Sequence, residues 1–231
     1  MAIKICLDAG HYGKLNRSPV VSEYYEAEMN WNLHVKLKKY LEQYGFQVIQ
    51  TRSNQAKDLD LSARGSAANG CDLFLSIHSN ACDTESVDRP VVIAQLDGKG
   101  DVLGKSLGKC IQDVMGTKGA YQLYKREGSN GGEYYGVLRS AAAVGTVGLI
   151  LEHSFHTNAA AAKWLLSDSN LDKLAKAEAK AIAEYYGVTS KAKRIVYRVV
   201  AGSYNDMKNA AAMAEKLKKA GFDAFVAETE L

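Results

Sequence analysis

Segments with strand and helix patterns alternate through the first 187 residues, and that alternation leaves few architectures open. The apolar run Ile3-Lys4-Ile5-Cys6-Leu7 is followed by a helical stretch over about 24–44, which Gly45 stops. Phe46 to Gln50 reads as the next strand, Leu61 to Asn69 as a short helix and Asp72 to Ile77 as an apolar strand. A strand at Val91 to Leu96 leads to a helix over about 102–115. Val147 to Leu151 is a buried strand, and two helices follow it, the second over about 171–186. This order predicts an α/β fold, a mostly parallel twisted sheet flanked by helices.

Open parallel sheets collect their ligands at the carboxyl edge of the strands. Three stretches rich in acid–base groups fall there: Asp8-Ala9-Gly10-His11, Ser76-Ile77-His78-Ser79-Asn80 and Leu151-Glu152-His153-Ser154-Phe155. A fourth, Glu26 with Asn30 four residues on, opens the long first helix. Two imidazoles and one carboxylate hold Zn²⁺ with a coordination position left open. A further glutamate can then take a proton from an attacking water. The chain therefore reads as a metallohydrolase.

A lone strand histidine is usually a hydrogen-bonded core residue, but His11 and His78 share strand-end positions with acids. Glu26 and Glu28 compete for the third ligand place. At about 100° per residue, Glu26 shares a stripe with Asn30, Leu33, Leu37 and Leu41, whereas Glu28 lies nearly opposite and should meet solvent. Strand alternation sends His153 to the face away from Glu152. His34, between charged neighbours, is expected to be exposed. His156 is counted against the site, with a place on the cleft wall as the lesser alternative. Cys82 is read as a small buried thiol. Glu152 follows an apolar strand, so it is either an acid–base group or the partner of a buried cation, for which Arg64 is the candidate. Asp8 either orients His11 or caps a turn. The loop from Glu127 to Gly136 reads as a flexible rim, without the lysine and serine of a phosphate cradle.

In order, these motifs resemble the zinc-dependent N-acetylmuramoyl-L-alanine amidases of the amidase-3 family. The resemblance runs from residue 2 to about 187 and rests on Leu7-Asp8-Ala9-Gly10-His11, Glu26-x-x-x-Asn30, Leu61-x-x-Arg64, Asp72 through Ala81, and Glu152-x-x-Phe155-x-x-Asn158. It implies that His11, Glu26 and His78 bind one Zn²⁺ per chain and that Glu152 is catalytic. It also implies that the substrate is the peptidoglycan amide between N-acetylmuramic acid and L-alanine. Tyr12 stands where the family often has glycine, and Gly145-Thr146-Val147 where it often has proline, so the cleft's outline should differ while the ligands remain. The rival readings are a zinc peptidase cutting within the stem peptide, weakened by the lack of His-Glu-x-x-His, and a wall-binding protein with a structural zinc.

Residues 188–194 are basic and patternless and read as a linker. Beyond them a β-α-β module is expected over 195–231: a strand at Val196 to Val200, a helix from about Asp206 to Ala220 and a strand at Phe222 to Val226. At about 37 residues it is too short for a core that stabilises itself, so it must dock on the main body, pair with another copy as a homodimer, or be half of something longer. It resembles the first half of a SPOR-type peptidoglycan-binding domain, which implies wall binding, while the missing half favours pairing between chains. A net charge of +3 is too small to suggest a nucleic-acid groove. Four scattered cysteines fit reduced thiols. No signal peptide or membrane-spanning run is visible, so cytoplasmic synthesis and action on the bacterial wall after release, as an endolysin or autolysin, is the expectation.

Overall fold

The computed structural model describes residues 2–189 and 200–228. The chain divides into two compact units, Met1–Lys191 and Ala192–Leu231. The first carries β1 (Lys4–Ala9), α1 (Glu26–Tyr44), β2 (Gln47–Gln50), α2 (Leu61–Ser66), β3 (Leu73–Asn80), β4 (Val91–Ala94), α3 (Asp101–Met115), β5 (Gln122–Tyr124), α4 (Gly136–Ala143), β6 (Val147–Phe155), α5 (Ala159–Leu165) and α6 (Asp168–Tyr185). The six strands form one sheet in the order β2-β1-β3-β6-β4-β5, parallel throughout except where β4 runs against β6. The mostly parallel α/β sheet expected from the pattern is present.

Strand alternation divides the core in two. Ile5, Leu7, Leu73, Leu75, Ile77, Leu149 and Leu151 pack with Leu33, Leu37 and Leu41 of α1 and with α3 and α6. Cys6, Phe74 and Ile150 face the other way and pack with Val137, Leu138 and Ala141 of α4. Each fully buried leucine is worth roughly 1.5–3 kcal/mol, so one slipped register would forfeit much of the core. Gly65 lets α2 approach α4 closely: a β-carbon there would lie 2.3 Å from the Val137 carbonyl oxygen. At the end of α1, Gly45 takes φ 94° and its N–H bonds back to the Leu41 and Glu42 carbonyls.

Two elements escaped the sequence pattern. β5 has three residues at the sheet edge, too few to show a period. α4 begins beside the glycine-rich loop with no side-chain cap at Tyr135 to announce it. That loop is tied across its base by a Glu127–Glu133 bridge, with Arg126 stacked 3.6 Å over the Tyr134 ring.

In the second unit, α7 (Met207–Lys219) matches the expected helix, and Asp206 caps it by accepting from the Lys208 N–H at 2.7 Å. The strand expected at Val196 to Val200 lies, but for Val200, outside the described residues. Residues 222–226 form no strand. A strand exists only by pairing, and the segment expected to pair with this one is the one outside the described residues. Among the described residues no helix is long and apolar enough to cross a membrane.

Candidate metal centre

The turn after β1 delivers the first imidazole. His11 has φ 57°, a left-handed conformation costing roughly 1–3 kcal/mol for a non-glycine residue. Its surroundings hold it there. Arg64 from α2 donates Nη2–H to the His11 carbonyl at 3.0 Å and Nη1–H to Ala9 O at 2.9 Å. Arg52 adds a bond to Ala9 O at 2.9 Å. The Arg64 guanidinium is anchored on Asp8 at 2.9 Å, and Asp8 is completed by the Thr51 and Ser76 hydroxyls, each at 2.7 Å. Both members of this ion pair are buried.

The helix N-terminus supplies the carboxylate. Glu26 is buried and reaches over the sheet's edge, with Oε1 2.9 Å from His78 Nδ1 and Oε2 3.3 Å from His11 Nε2. The Ser79 N–H donates to Oε1 at 3.1 Å and the Asn16 amide to Oε2 at 2.8 Å. Ligand atoms of His11, Glu26 and His78 all lie within 4.8 Å of one another. Four tetrahedral ligands at about 2.0–2.2 Å from Zn²⁺ stand roughly 3.3–3.6 Å apart, so the donor types suit that ion and a small contraction of the cluster would reach its spacing. Electrostatics agree. Burial alone would raise the Glu26 pKa, but hydrogen bonds from His11 and His78 outweigh it and hold the carboxyl well below its usual range. Burial would lower His78, yet Glu26 drives it up to about 9. The cluster stabilises positive charge at its centre. Glu28 points outward to Lys14 at 3.7 Å, as helix geometry required.

Glu152 is the strand partner of His78 across β3 and β6, so both side chains leave the same face. Burial pushes its pKa up to about 7, with His78 opposing and Glu26 adding to the rise. Its Oε2 is buried with no hydrogen-bond partner among the described residues. A buried carboxyl with a raised pKa and an unpartnered oxygen, beside three candidate metal ligands, is suited to proton transfer. Just beyond it, β6 shifts register against β3 and Ser154 takes φ 60°, its hydroxyl bonded to Asp88 at 2.8 Å. His153 faces away as alternation required, bonded to Glu178 of α6 at 2.6 Å and to the His78 carbonyl at 2.9 Å.

Several expectations need correction. Arg64 is not the partner of Glu152: it lies with Asp8, because even-numbered β1 residues face α2. Asp8 does not touch the His11 ring, and acts on His11 through Arg64 and the backbone. His34 is buried, between the Trp31 carbonyl and the Gln50 amide at 2.6 Å each, and burial pushes its pKa down to about 4. Cys82, expected to be buried, is half-buried; it donates to Thr84 O and stays out of the ligand cluster. His156, counted against the site, does line it. Asn16, which bridges His11 Nε2 at 3.0 Å and Glu26, carried no sequence signal.

The cleft over these residues has a volume of about 570 Å³ and is bordered also by Arg17, Pro19, Asn80 and Thr157. A cleft of the same size borders Arg126, Glu127, Asn130, Glu133, Tyr134 and Arg139 and contains none of these groups. Chemistry, not size, separates the two.

Known proteins share this arrangement of chain. The catalytic domain of the amidase CwlV from Bacillus (Paenibacillus) polymyxa var. colistinus superposes with a TM-score of 0.70 at 21% identity, over 81% of this chain and 99% of that one. The amidase AmiC2 of Nostoc punctiforme gives 0.68 at 23% identity, over 80% and 97%. In sequence, the N-acetylmuramoyl-L-alanine amidase CwlM of Bacillus licheniformis is 25% identical over 97% of this chain and 84% of its own length. Residues 158–228 match the SPOR domain family, a span that takes in α5, α6 and α7. Residues 5–184 match the family described as N-acetylmuramoyl-L-alanine amidase, and the chain belongs to that amidase-3 family.

Proposed function

We propose that the cleft hydrolyses the peptidoglycan amide between N-acetylmuramic acid and L-alanine, with His11, Glu26 and His78 holding one Zn²⁺ and Glu152 moving the proton. The observation that carries this reading is the convergence of three ligand atoms beside a carboxyl that shares a strand register with one of them. Bound there, Zn²⁺ would supply Lewis-acid stabilisation of negative charge on the scissile carbonyl. Glu152, as the carboxylate, takes a proton from water as the water oxygen bonds to the carbonyl carbon. It returns that proton to the alanine nitrogen as the C–N bond breaks, leaving a lactyl carboxylic acid and a free amine, and the acid's proton then passes to the amine to give a carboxylate and an ammonium group. Asn16 and the Ser79 N–H fix the Glu26 carboxylate, and the Asp8–Arg64 pair fixes the turn bearing His11. A closed structural site would need a fourth protein ligand, and the cluster among the described residues has three.

The match to the SPOR family over residues 158–228 supports a second role, glycan binding by residues 195–231. The reaction is tested by digesting purified peptidoglycan and reading the products by mass spectrometry. Stem peptides with a free L-alanine amine, lost on chelation and restored by Zn²⁺, are the expected products. Fragments cut inside the stem would transfer the site to a peptidase.

A further inference from the structure

His156 is 5% exposed, yet it borders the cleft together with Glu26, His78 and Glu152. Four contacts hold it. Its N–H donates to Asn80 O at 2.8 Å, and its carbonyl accepts from the Ser18 hydroxyl at 2.6 Å. Its ring stacks on Tyr24 with centroids 5.8 Å apart and planes 23° from parallel. Its Nδ1 lies 3.0 Å from the Ser79 hydroxyl, which itself accepts from the Tyr24 hydroxyl at 2.7 Å. Nε2 has no partner among the described residues and is not sealed within the protein.

The relay fixes the tautomer. Nδ1 also lies 3.1 Å from the Ser79 carbonyl, so it can donate there or accept from the Ser79 hydroxyl. If it donated, the hydroxyl proton of buried Ser79, already accepting from Tyr24, would have no acceptor among the described residues. An unpaired buried donor costs about 1–3 kcal/mol. If Nδ1 accepts, every proton of the relay is paired and the ring's one proton sits on Nε2, the nitrogen left unpartnered on a ring that borders the cleft. Burial lowers the ring's pKa, which keeps it neutral.

We propose that His156 is a catalytic hydrogen-bond donor whose Nε2–H meets an oxygen of the scissile group and binds it more tightly as that oxygen gains charge. A neutral, immobilised donor needs no reorganisation when charge develops, and Tyr24 and Ser79 are the positioning residues that aim it. The proposal rests on the amidase reading of the cleft.

Full-length wild type, His156→Ala and His156→Gln are compared on a soluble muropeptide, with zinc stoichiometry and melting temperature measured on each. The expected result is a kcat about 10²- to 10³-fold lower for the alanine variant, with KM within about threefold and zinc content unchanged. Glutamine places an N–H near the imidazole Nε2 position and should recover kcat to within about tenfold of wild type. An alanine variant within threefold of wild type, a rise in KM alone, or a folded, zinc-loaded glutamine variant no better than alanine overturns the proposal. In ¹⁵N-labelled wild type the imidazole nitrogen shifts report the tautomer without any variant: a proton on Nε2 is expected, and one on Nδ1 overturns it. A wild type inert on every muropeptide would count against the amidase reading, while the tautomer measurement still judges His156.

Discussion

A β-carbon at Gly10 would lie 2.2 Å from Cε1 of His78, so the second imidazole rests directly on the backbone of the turn that presents the first. Real β-carbons do not approach ring atoms so closely. Gly10→Ala must therefore push the His78 ring away from Glu26. Zinc affinity should fall at least about tenfold, and activity with it, a size of loss comparable to removing an outer support of a metal ligand. Zinc titration against a competing chelator checks this, and an unchanged affinity would show that the ring has somewhere else to go.

Asp8 and Arg64 form a buried pair at 2.9 Å that positions His11 through its carbonyl. Removing one partner leaves a buried charge uncompensated, which costs about 3–5 kcal/mol. Asp8→Ala should lower the melting temperature by roughly 10 °C at this chain length. Differential scanning calorimetry measures it, and a shift under about 3 °C would mean Arg64 finds another anion or reaches water.

The two acids in the first turn of α1 should behave oppositely. Glu26→Ala is expected to abolish stoichiometric zinc binding, because it removes one of the three proposed ligands and leaves two imidazoles. Glu28→Ala loses only a half-exposed contact to Lys14, worth about 0–1 kcal/mol, and should retain zinc and activity. Zinc content by atomic emission separates the two variants.

Glu152 gives the protein freed of metal by chelation a pH signature. Its folded pKa of about 7 lies above the ordinary glutamate value of 4.5, so the folded state binds more protons than the unfolded state between those values. Stability contributed by this group therefore falls as pH rises from about 4.5 to 7. Its shift corresponds to about 3 kcal/mol, reduced to about 1–2 kcal/mol because the carboxyl borders solvent. Glu152→Gln should melt about 4 °C higher than wild type at pH 8 and equally at pH 4.5. Equal melting at both values would place the carboxyl in water.

Much of this was legible in the chain. Apolar runs placed β1, β3 and β6, the 100° rule separated Glu26 from Glu28, and alternation sent His153 to the face away from Glu152, where it meets Glu178. His34 was missed although its spacing from Asn30, Leu37 and Leu41 continues the buried face of α1; its charged neighbours hid it. The same alternation, applied to β1, would have sent Asp8 to the face of α2 and Arg64 with it. His156 could not be placed from the strand pattern, because the register shift at Ser154 breaks the period just before it. Asn16 reaches the site from an irregular loop, where no periodicity exists to read.

The two units should separate by function. Residues 1–191 contain the whole sheet and every proposed ligand. A chain ending at residue 191 should cleave soluble muropeptides within about twofold of the full chain while sedimenting less with insoluble walls. Equal wall binding by both would remove the role proposed for residues 195–231.

The most direct measurement of the central claim compares wild type with Glu152→Gln on purified peptidoglycan, with zinc counted in both. The account predicts one zinc per chain in each protein, and stem peptides with a free L-alanine amine released by wild type alone. Near-normal release by the glutamine variant, with its zinc in place, would contradict it.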